Sequence, residues 1–183
     1  EKTSDWDLMD IKVNGEYCTT HKEAIDAVVT VINGKSHGSG CIISNDGYII
    51  TNYHVVAQNK DGLMILAGDS DKVKCELIRY NEKMDLALLK ASPMNIKPLQ
   101  LKSGEDILTG IDVFAIGTPA DIELGQSISK GIISGKRKIN DMLMSQTDVS
   151  VNPGNSGGAL VGTNGVLLGI VSSKVFGPGL EGI

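Results

Sequence analysis

Short apolar runs, separated by turn residues, recur along the chain, and no long amphipathic helical pattern lies between them. The first run, Val28-Val29-Thr30-Val31-Ile32, is rich in β-branched residues, which favour strands. Asn-Asp-Gly at 45–47 and Thr-Asn-Gly at 163–165 are typical of hairpin turns. Roughly ten to twelve strands at such spacing predict an all-β barrel or sandwich. The other runs cover Gly40–Ser44, Tyr48–Thr51, Leu63–Ala67, Val73–Tyr80, Leu86–Lys90, Asp112–Ile116, Ser127–Ser134, Met142–Gln146, Gly158–Val161 and Val166–Ser172.

One short helix is predicted before the first strand. Thr20-His21-Lys22-Glu23 matches a capping box, in which Thr20 and Glu23 satisfy each other's free amides, and it predicts a helix through about Ala27. A break at about residues 92–110 divides the strands into two halves of about six each. No linker rich in proline or serine separates these halves.

Composition excludes several classes of protein. The 183 residues are 41% hydrophobic and 21% charged, which is typical of a folded domain and not of a disordered chain. The formal charge is −5, and the one basic cluster, Lys136-Arg137-Lys138, is interpreted as a solvated turn, so a nucleic-acid surface is disfavoured. No apolar run approaches the length that a membrane span needs.

Cysteine and histidine spacing gives no support for a metal site. Cys18, Cys41 and Cys75 are an odd number without a C-x-x-C pair, so zinc and thioredoxin-type chemistry are disfavoured. One disulfide stays possible, although Cys41, within an apolar run, is expected to pack as a buried thiol. Neither a metal nor a cofactor is predicted.

A glycine-rich loop carries the first candidate for chemistry. In Asn152-Pro153-Gly154-Asn155-Ser156-Gly157-Gly158, a serine is surrounded by small residues that allow a tight fold. The amides of Gly154, Asn155 and Ser156 can then converge on one point and stabilise an oxyanion while the Ser156 hydroxyl attacks a carbonyl. The alternative is a glycine-rich hairpin turn with a capping serine.

A serine nucleophile needs a base, normally a histidine. His54 follows an apolar strand and is the best of three candidates, since His21 and His37 lie in a cap and a turn and are expected to be exposed. Asp85 precedes another apolar strand, where a buried carboxylate requires a partner. Asp148 ranks second, as a residue that organises its loop by accepting amide hydrogen bonds. The alternatives are a satisfied polar histidine and a capped turn.

The order His54, Asp85, Ser156 and the segments around these residues resemble the trypsin-like serine peptidases, and within them the HtrA/Deg (high-temperature-requirement) branch. The resemblance extends from about Ala24 to the end of the chain. The matching segments are Gly38-Ser39-Gly40, Ile42-Ile43-Ser44, residues 46–56, Asp85-Leu86-Ala87-Leu88-Leu89, Gly117-Thr118-Pro119, Thr147-Asp148, residues 152–158 and residues 165–170.

The resemblance implies a double six-stranded β-barrel of the chymotrypsin and trypsin type, with the active site between the barrels. His54 would be the general base, Asp85 its orienter and Ser156 the nucleophile, with the amides of Gly154 and Ser156 forming the oxyanion hole. The protease domain would cover residues 21–183 after an N-terminal extension at 1–20. Its first barrel would cover about 28–92 and its second about 108–183, truncated at the C-terminal end.

The resemblance also implies where substrate binds. The pocket for the residue before the cut bond would lie between Ser150-Val151 and Ile170-Val171-Ser172, whose small aliphatic walls favour Val, Ala or Ile over Lys or Arg. The edge at 171–174 would pair with an extended substrate, and the loops 150–155 and 174–182 are expected to be mobile.

The expected partners and role follow from the same resemblance. The protein would be a serine endopeptidase of protein quality control that acts on unfolded or extended polypeptides. It would be periplasmic or secreted, although no signal peptide is visible at residue 1, and a homo-oligomer is possible. The alternative is a catalytically idle trypsin-fold module that binds peptides or acts like a chaperone.

Overall fold

The structure, a computed structural model, describes residues 13, 15–68, 70–118, 125–139, 142–152 and 154–172, without the side chains of Glu105 and Met142. Most of the predicted N-terminal extension and the predicted mobile loop at 174–182 lie outside these residues. No helix in the described part of the chain has the length and apolar character needed to cross a bilayer.

The described residues form strands almost throughout, with few and short helices. The elements are α1 (His21–Asp26), β1 (Val28–Asn33), β2 (Ser36–Ile42), β3 (Tyr48–Thr51), α2 (Tyr53–Val56), β4 (Leu63–Leu66), β5 (Val73–Lys74), β6 (Glu76–Asn81), β7 (Leu86–Lys90), a 3-10 turn (Gly104–Asp106), β8 (Asp112–Gly117), β9 (Ser127–Ile139), β10 (Met142–Thr147), β11 (Ala159–Gly162) and β12 (Leu167–Ile170).

The first sheet has seven strands in the order β5-β4-β1-β2-β3-β7-β6. Only Cys75 separates β5 from β6 along the chain, yet these two strands lie at opposite edges of the sheet. The sheet must therefore curl until its edges meet, which makes it a barrel. The predicted single strand over 73–80 is wrong, because the chain leaves one edge at Cys75 and joins the other.

The second sheet has five strands in the order β10-β9-β8-β11-β12. The first half of β9 pairs with β8 and its second half pairs with β10, so this 13-residue strand belongs to both halves of a curled sheet. The basic residues 136–138, predicted as a turn, lie in β9. The all-β class with two curled sheets is confirmed, whereas the described strands divide seven to five and not six to six.

Both faces of β8 and β11 are covered, by different cores. Ile116, Ala159 and Val161 pack into the core of the first barrel, whereas Val113, Ala115 and Leu160 pack into that of the second. Successive side chains on a strand point to opposite faces, so these two strands form the wall between the barrels. The Thr30 and Thr118 hydroxyls, 2.9 Å apart and buried, form a hydrogen bond across the same boundary.

The N-terminal helix is capped slightly differently from the prediction. The Thr20 hydroxyl accepts from the Glu23 amide at 3.2 Å, as expected. The Glu23 carboxylate, however, accepts from the Thr19 amide at 2.7 Å and not from Thr20. That bond and the Lys97 ammonium at 3.1 Å lower the pKa of Glu23 to about 2. The carboxylate thus fastens α1 to the segment between the barrels.

Candidate active site

His54 and Asp85 are brought together by neighbouring strands. β3 and β7 pair antiparallel, with Thr51 opposite Ala87, so the chain leaving β3 passes the chain entering β7. The His54 Nδ1 lies 2.6 Å from one Asp85 carboxylate oxygen, and the His54 backbone amide donates to the other at 2.9 Å. Both carboxylate oxygens therefore hold the same residue, one through its ring and one through its main chain.

Asp85 is held in an unusual backbone conformation. It is the one non-glycine residue in the described part of the chain with positive φ, at 52°. Such a conformation costs about 1–3 kcal/mol and persists where the surroundings determine it. The Asp85 carbonyl accepts from the Asn52 side-chain amide at 2.9 Å and from the Tyr53 amide at 3.1 Å. The carboxylate is buried, with a side chain 4% exposed against 27% for His54, so the histidine alone faces the surface.

The short helix that carries His54 is fixed at both ends. Its first residue, Tyr53, stacks on Tyr80 of β6 with ring centroids 4.6 Å apart, and the Lys60 ammonium lies 4.4 Å from the Tyr80 ring centroid. The buried Asn33 amide of β1 donates to the Val55 carbonyl at 3.0 Å. The imidazole is thus carried by a rigid single-turn helix. The sequence pattern did not predict this helix.

The Ser156 loop is closed by hydrogen bonds to its own barrel. The Gly157 amide donates to the Val171 carbonyl at 2.8 Å, and the Val171 amide donates to Gly158 at 2.9 Å. Gly157 has φ of 85°, and a Cβ there would overlap the Ser39 carbonyl oxygen and the Thr51 hydroxyl. Only glycine therefore allows the loop to approach the first barrel this closely.

The loop meets the first barrel beside the helix of His54. The Ser39 amide of β2 donates to the Ser156 carbonyl at 2.8 Å. A Cβ placed on Gly38 would lie 2.7 Å from the Val55 side chain and 3.0 Å from the same Ser156 carbonyl oxygen. The residue that follows His54 and the main chain of Ser156 therefore contact one point of β2, with Ser156 itself 5% exposed.

The three amides predicted to converge do not all face outward. The Asn155 amide donates within the loop to the Asn152 carbonyl at 3.0 Å, and the Asn155 carbonyl accepts from Gly158 at 2.9 Å. The expectation that Asn155 contributes a third donor is therefore wrong, because the turn uses its amide. Gly154 and Ser156 stay the predicted pair that the resemblance implies.

A cavity of about 550 Å³ lies next to Asp85. Four of the five residues predicted as pocket walls line it, namely Val151, Ile170, Val171 and Ser172. Ser150 is not among its lining residues, and its carbonyl instead accepts from the Ser129 hydroxyl at 3.1 Å.

The cavity has further apolar walls that the sequence did not suggest. Met84 directly precedes Asp85 in the chain, and Leu143 and Met144 belong to β10. The only available signal was the apolar run at 142–144, which is ordinary for a strand. Met84 and Leu143 are 48% and 47% exposed, so the rim of the cavity is apolar as well.

Val171 does not fit the predicted substrate-pairing edge at 171–174. Both the amide and the carbonyl of Val171 are used by the Ser156 loop, so this residue is not available to a substrate strand. Ser172 is the next residue, and positions 173 and 174 lie outside the described residues.

The rival candidates have other environments. The Asp148 carboxylate accepts from the Ile132 amide at 2.7 Å, which confirms its predicted role in organising the loop. His21 is not exposed but stacks on Phe114 with ring centroids 3.9 Å apart, and His37 lies half-buried in β2 and not in a turn.

The cysteines do not compete as nucleophiles. Cys18, Cys41 and Cys75 are free and buried. Burial raises the pKa of Cys18 to about 11 and that of Cys75 to about 12, and it also raises the pKa of Cys41. Since the thiolate is the reactive form, these thiols are inert at neutral pH. Within the described residues, no three His, Cys, Asp or Glu side chains form a metal-binding group.

Comparisons with known proteins agree with this geometry. Residues 38–170 match the family model described as "Trypsin-like peptidase domain". The chain is 40% identical over 146 residues to the "Probable periplasmic serine endoprotease DegP-like" of Pseudomonas putida (strain W619), which covers 78% of this chain and 30% of that protein. The chain thus spans under a third of the length of that relative.

Two solved structures have the same fold. A serine endoprotease from Yersinia pestis has a TM-score of 0.74 at 37% identity, covering 87% of this chain and 58% of that one. The structure titled "HtrA-type protease AlgW with tripeptide" has a TM-score of 0.74 at 36% identity, covering 81% of this chain and 51% of that one. The chain therefore belongs to the trypsin-like peptidase domain family, and its resemblance to the HtrA/Deg branch is confirmed.

Proposed function

We propose that this chain is the catalytic domain of a serine endopeptidase and that residues 21–183 form that domain after an extension at 1–20. The observation that carries the proposal is the His54–Asp85 pair. A 2.6 Å contact to a buried carboxylate fixes the imidazole with Nδ1 protonated, which leaves Nε2 as the basic nitrogen. The Ser156 loop contacts the same stretch of β2 that contacts the helix of His54.

The reaction follows from these roles. His54 Nε2 accepts the proton of the Ser156 hydroxyl while the Ser156 oxygen attacks the peptide carbonyl carbon. The carbonyl oxygen becomes an oxyanion, which the Gly154 and Ser156 amides hold. The C–N bond then breaks as His54 gives the proton to the leaving amine, and an acyl-enzyme ester remains. Water, deprotonated by His54, attacks that ester and releases the carboxylate product and the serine.

Active-site labelling tests the proposal. A serine-reactive fluorophosphonate is expected to label the intact protein at one site, which peptide mapping should assign to Ser156. Labelling should disappear in the Ser156→Ala variant. It should persist in the unaltered protein, whose buried thiols are unmodified. Intact, folded protein that stays unlabelled even with peptide activators would contradict the enzyme and favour the idle peptide-binding module.

Substrate preference is proposed from the cavity walls. Among the described residues that line the cavity, Asp85 is the one carboxylate, and both of its oxygens already hold His54. The remaining walls are largely aliphatic, and Lys102 would repel a basic side chain. The subsite before the cut bond is therefore assigned to small aliphatic residues of an extended polypeptide.

A peptide library measures this preference. Peptides with Val, Ala or Ile before the cut bond are expected to have kcat/KM values about 10-fold or more above those with Lys or Arg, because apolar walls discriminate by such amounts. A matched pair of peptides that differ at this position alone provides the control. Faster cleavage after Lys or Arg would contradict the assignment.

The cellular setting is proposed from the relatives. The Pseudomonas putida relative is named a periplasmic serine endoprotease, which supports a periplasmic or secreted location. A role in protein quality control is proposed from the resemblance to the HtrA/Deg branch. A homo-oligomer is part of the same proposal, and light scattering of the purified protein would determine its mass.

A further inference from the structure

Ser39 connects the two barrels at the Ser156 loop. It lies in β2, is 0% exposed, and stands opposite Thr30 in the pairing of β1 with β2. Its backbone amide donates to the Ser156 carbonyl at 2.8 Å, and its carbonyl accepts from the Thr51 hydroxyl at 2.6 Å. The main chain of one residue is thus bonded both to the nucleophile and to the strand that leads to His54.

The Ser39 hydroxyl makes two more contacts, and their directions are determined. The Thr118 amide donates to the hydroxyl oxygen at 2.8 Å, and the hydroxyl lies 2.8 Å from the Gly154 carbonyl oxygen. An amide can only donate and a carbonyl can only accept, so the single hydroxyl proton must point to Gly154. The hydroxyl therefore links the end of β8 to the Gly154–Asn155 peptide through two hydrogen bonds.

The loop needs such an external contact. Gly154 has φ of 96° and Gly157 has φ of 85°, and glycine resists rotation less than any other residue. The Ser39 amide fixes the peptide after Ser156, and the Ser39 hydroxyl fixes the peptide after Gly154. Between these two peptides lie the Asn155 residue and the Ser156 amide, which is one of the two proposed oxyanion donors.

We propose that Ser39 is a positioning residue, whose hydroxyl holds the Gly154 and Ser156 amides in the orientation that binds the oxyanion. The inference rests on the proposed function, because it concerns the reaction at the same serine. Without the hydroxyl, the Gly154–Asn155 peptide is held only by the turn bond from its Asn155 amide to Asn152, and the donors on either side no longer stay directed at one point. The loss then falls on the transition state, since the oxyanion exists only there.

A merely structural role makes a different prediction, and Thr30 provides the matched control. Thr30 is buried, lies directly opposite Ser39, and bonds the Thr118 hydroxyl at 2.9 Å, so it joins the same two barrels at the same place. In the described structure it makes no hydrogen bond to the Ser156 loop. Thr30→Val removes an inter-barrel hydroxyl of the same kind without loosening the Gly154 peptide.

The experiment compares Ser39→Ala with Thr30→Val and the unaltered protein on one peptide substrate. For Ser39→Ala, kcat is expected to fall about 10²-fold with KM within about threefold, because a misplacement of about 1 Å costs that much in rate. A peptide aldehyde, whose adduct with Ser156 places an oxygen in the oxyanion hole, should lose affinity in parallel. For Thr30→Val, kcat should stay within about threefold of the value for the unaltered protein. This should hold even if the thermal midpoint of Thr30→Val falls as much as that of Ser39→Ala.

Each other outcome contradicts the inference in a recognisable way. Equal loss of kcat in both variants, or a loss confined to KM, would assign Ser39 a structural or binding role. If Ser39→Ala does not fold, Ser39→Cys fills similar space with a weaker donor and should show the same loss of kcat. An inactive unaltered protein would refute the proposed function and this inference with it, whereas an active protein with an unaffected Ser39→Ala refutes the inference alone.

Discussion

Replacement of His54 by alanine is expected to lower kcat by about 10⁶-fold, because a serine hydroxyl without a base is a poor nucleophile and no second residue replaces it. Of the described histidines, only His54 has its ring on a buried carboxylate, at 2.6 Å. Steady-state cleavage of a peptide substrate and the rate of fluorophosphonate labelling should fall together, since both begin with the same proton transfer.

His21→Ala is the control for loss of an imidazole. His21 stacks on Phe114 in the contact between α1 and the second barrel, so its removal should affect thermal stability and leave kcat within a few-fold. Residual labelling of His54→Ala at more than about one part in a hundred of the normal rate would show that another group serves as the base.

Asp85→Asn is expected to lower kcat by about 10⁴-fold while the fold remains intact. One carboxylate oxygen accepts from the His54 amide, which can only donate, so the single oxygen of an asparagine must turn to that amide. The asparagine NH₂ then faces the imidazole Nδ1 and forces it to accept. The proton moves to Nε2, and the imidazole can no longer take the proton of Ser156.

The check is kcat together with the thermal midpoint, because a wrong tautomer changes the first far more than the second. In the double variant His54→Ala/Asp85→Asn, kcat should be no lower than in His54→Ala alone, since residues that act as one unit are not additive. A further drop in the double variant would mean that Asp85 acts on catalysis by a route other than the imidazole.

Sequence patterning predicted the local elements well where turn residues bound an apolar run. β3 and β7 have the predicted bounds, Tyr48–Thr51 and Leu86–Lys90. Hairpin residues or a polar turn end each of these strands. The split at Cys75 was missed because it comes from closure of the barrel. The apolar alternation continues through that residue, and nothing local marks the change of edge.

The same limit applies to the candidate site. His54 and Asp85 were found because each is a polar residue beside a buried strand, which is unusual enough to require a partner. Ser39 lies in the Gly38-Ser39-Gly40 segment, for which the sequence predicts no role, since its contact to Gly154 joins residues 115 apart in sequence. The amide of Asn155 was misassigned because a turn bond within the loop depends on backbone angles that residue types do not determine.

The wall formed by β8 and β11 limits how this protein can be divided. A fragment that stops before β8 would retain the base and its acid, yet it would leave uncovered the apolar flank on which Ile116, Ala159 and Val161 rest. The complementary fragment would expose those same side chains to water. Splitting the gene between the barrels should therefore yield two pieces that aggregate when made separately and recover structure only when they are produced together.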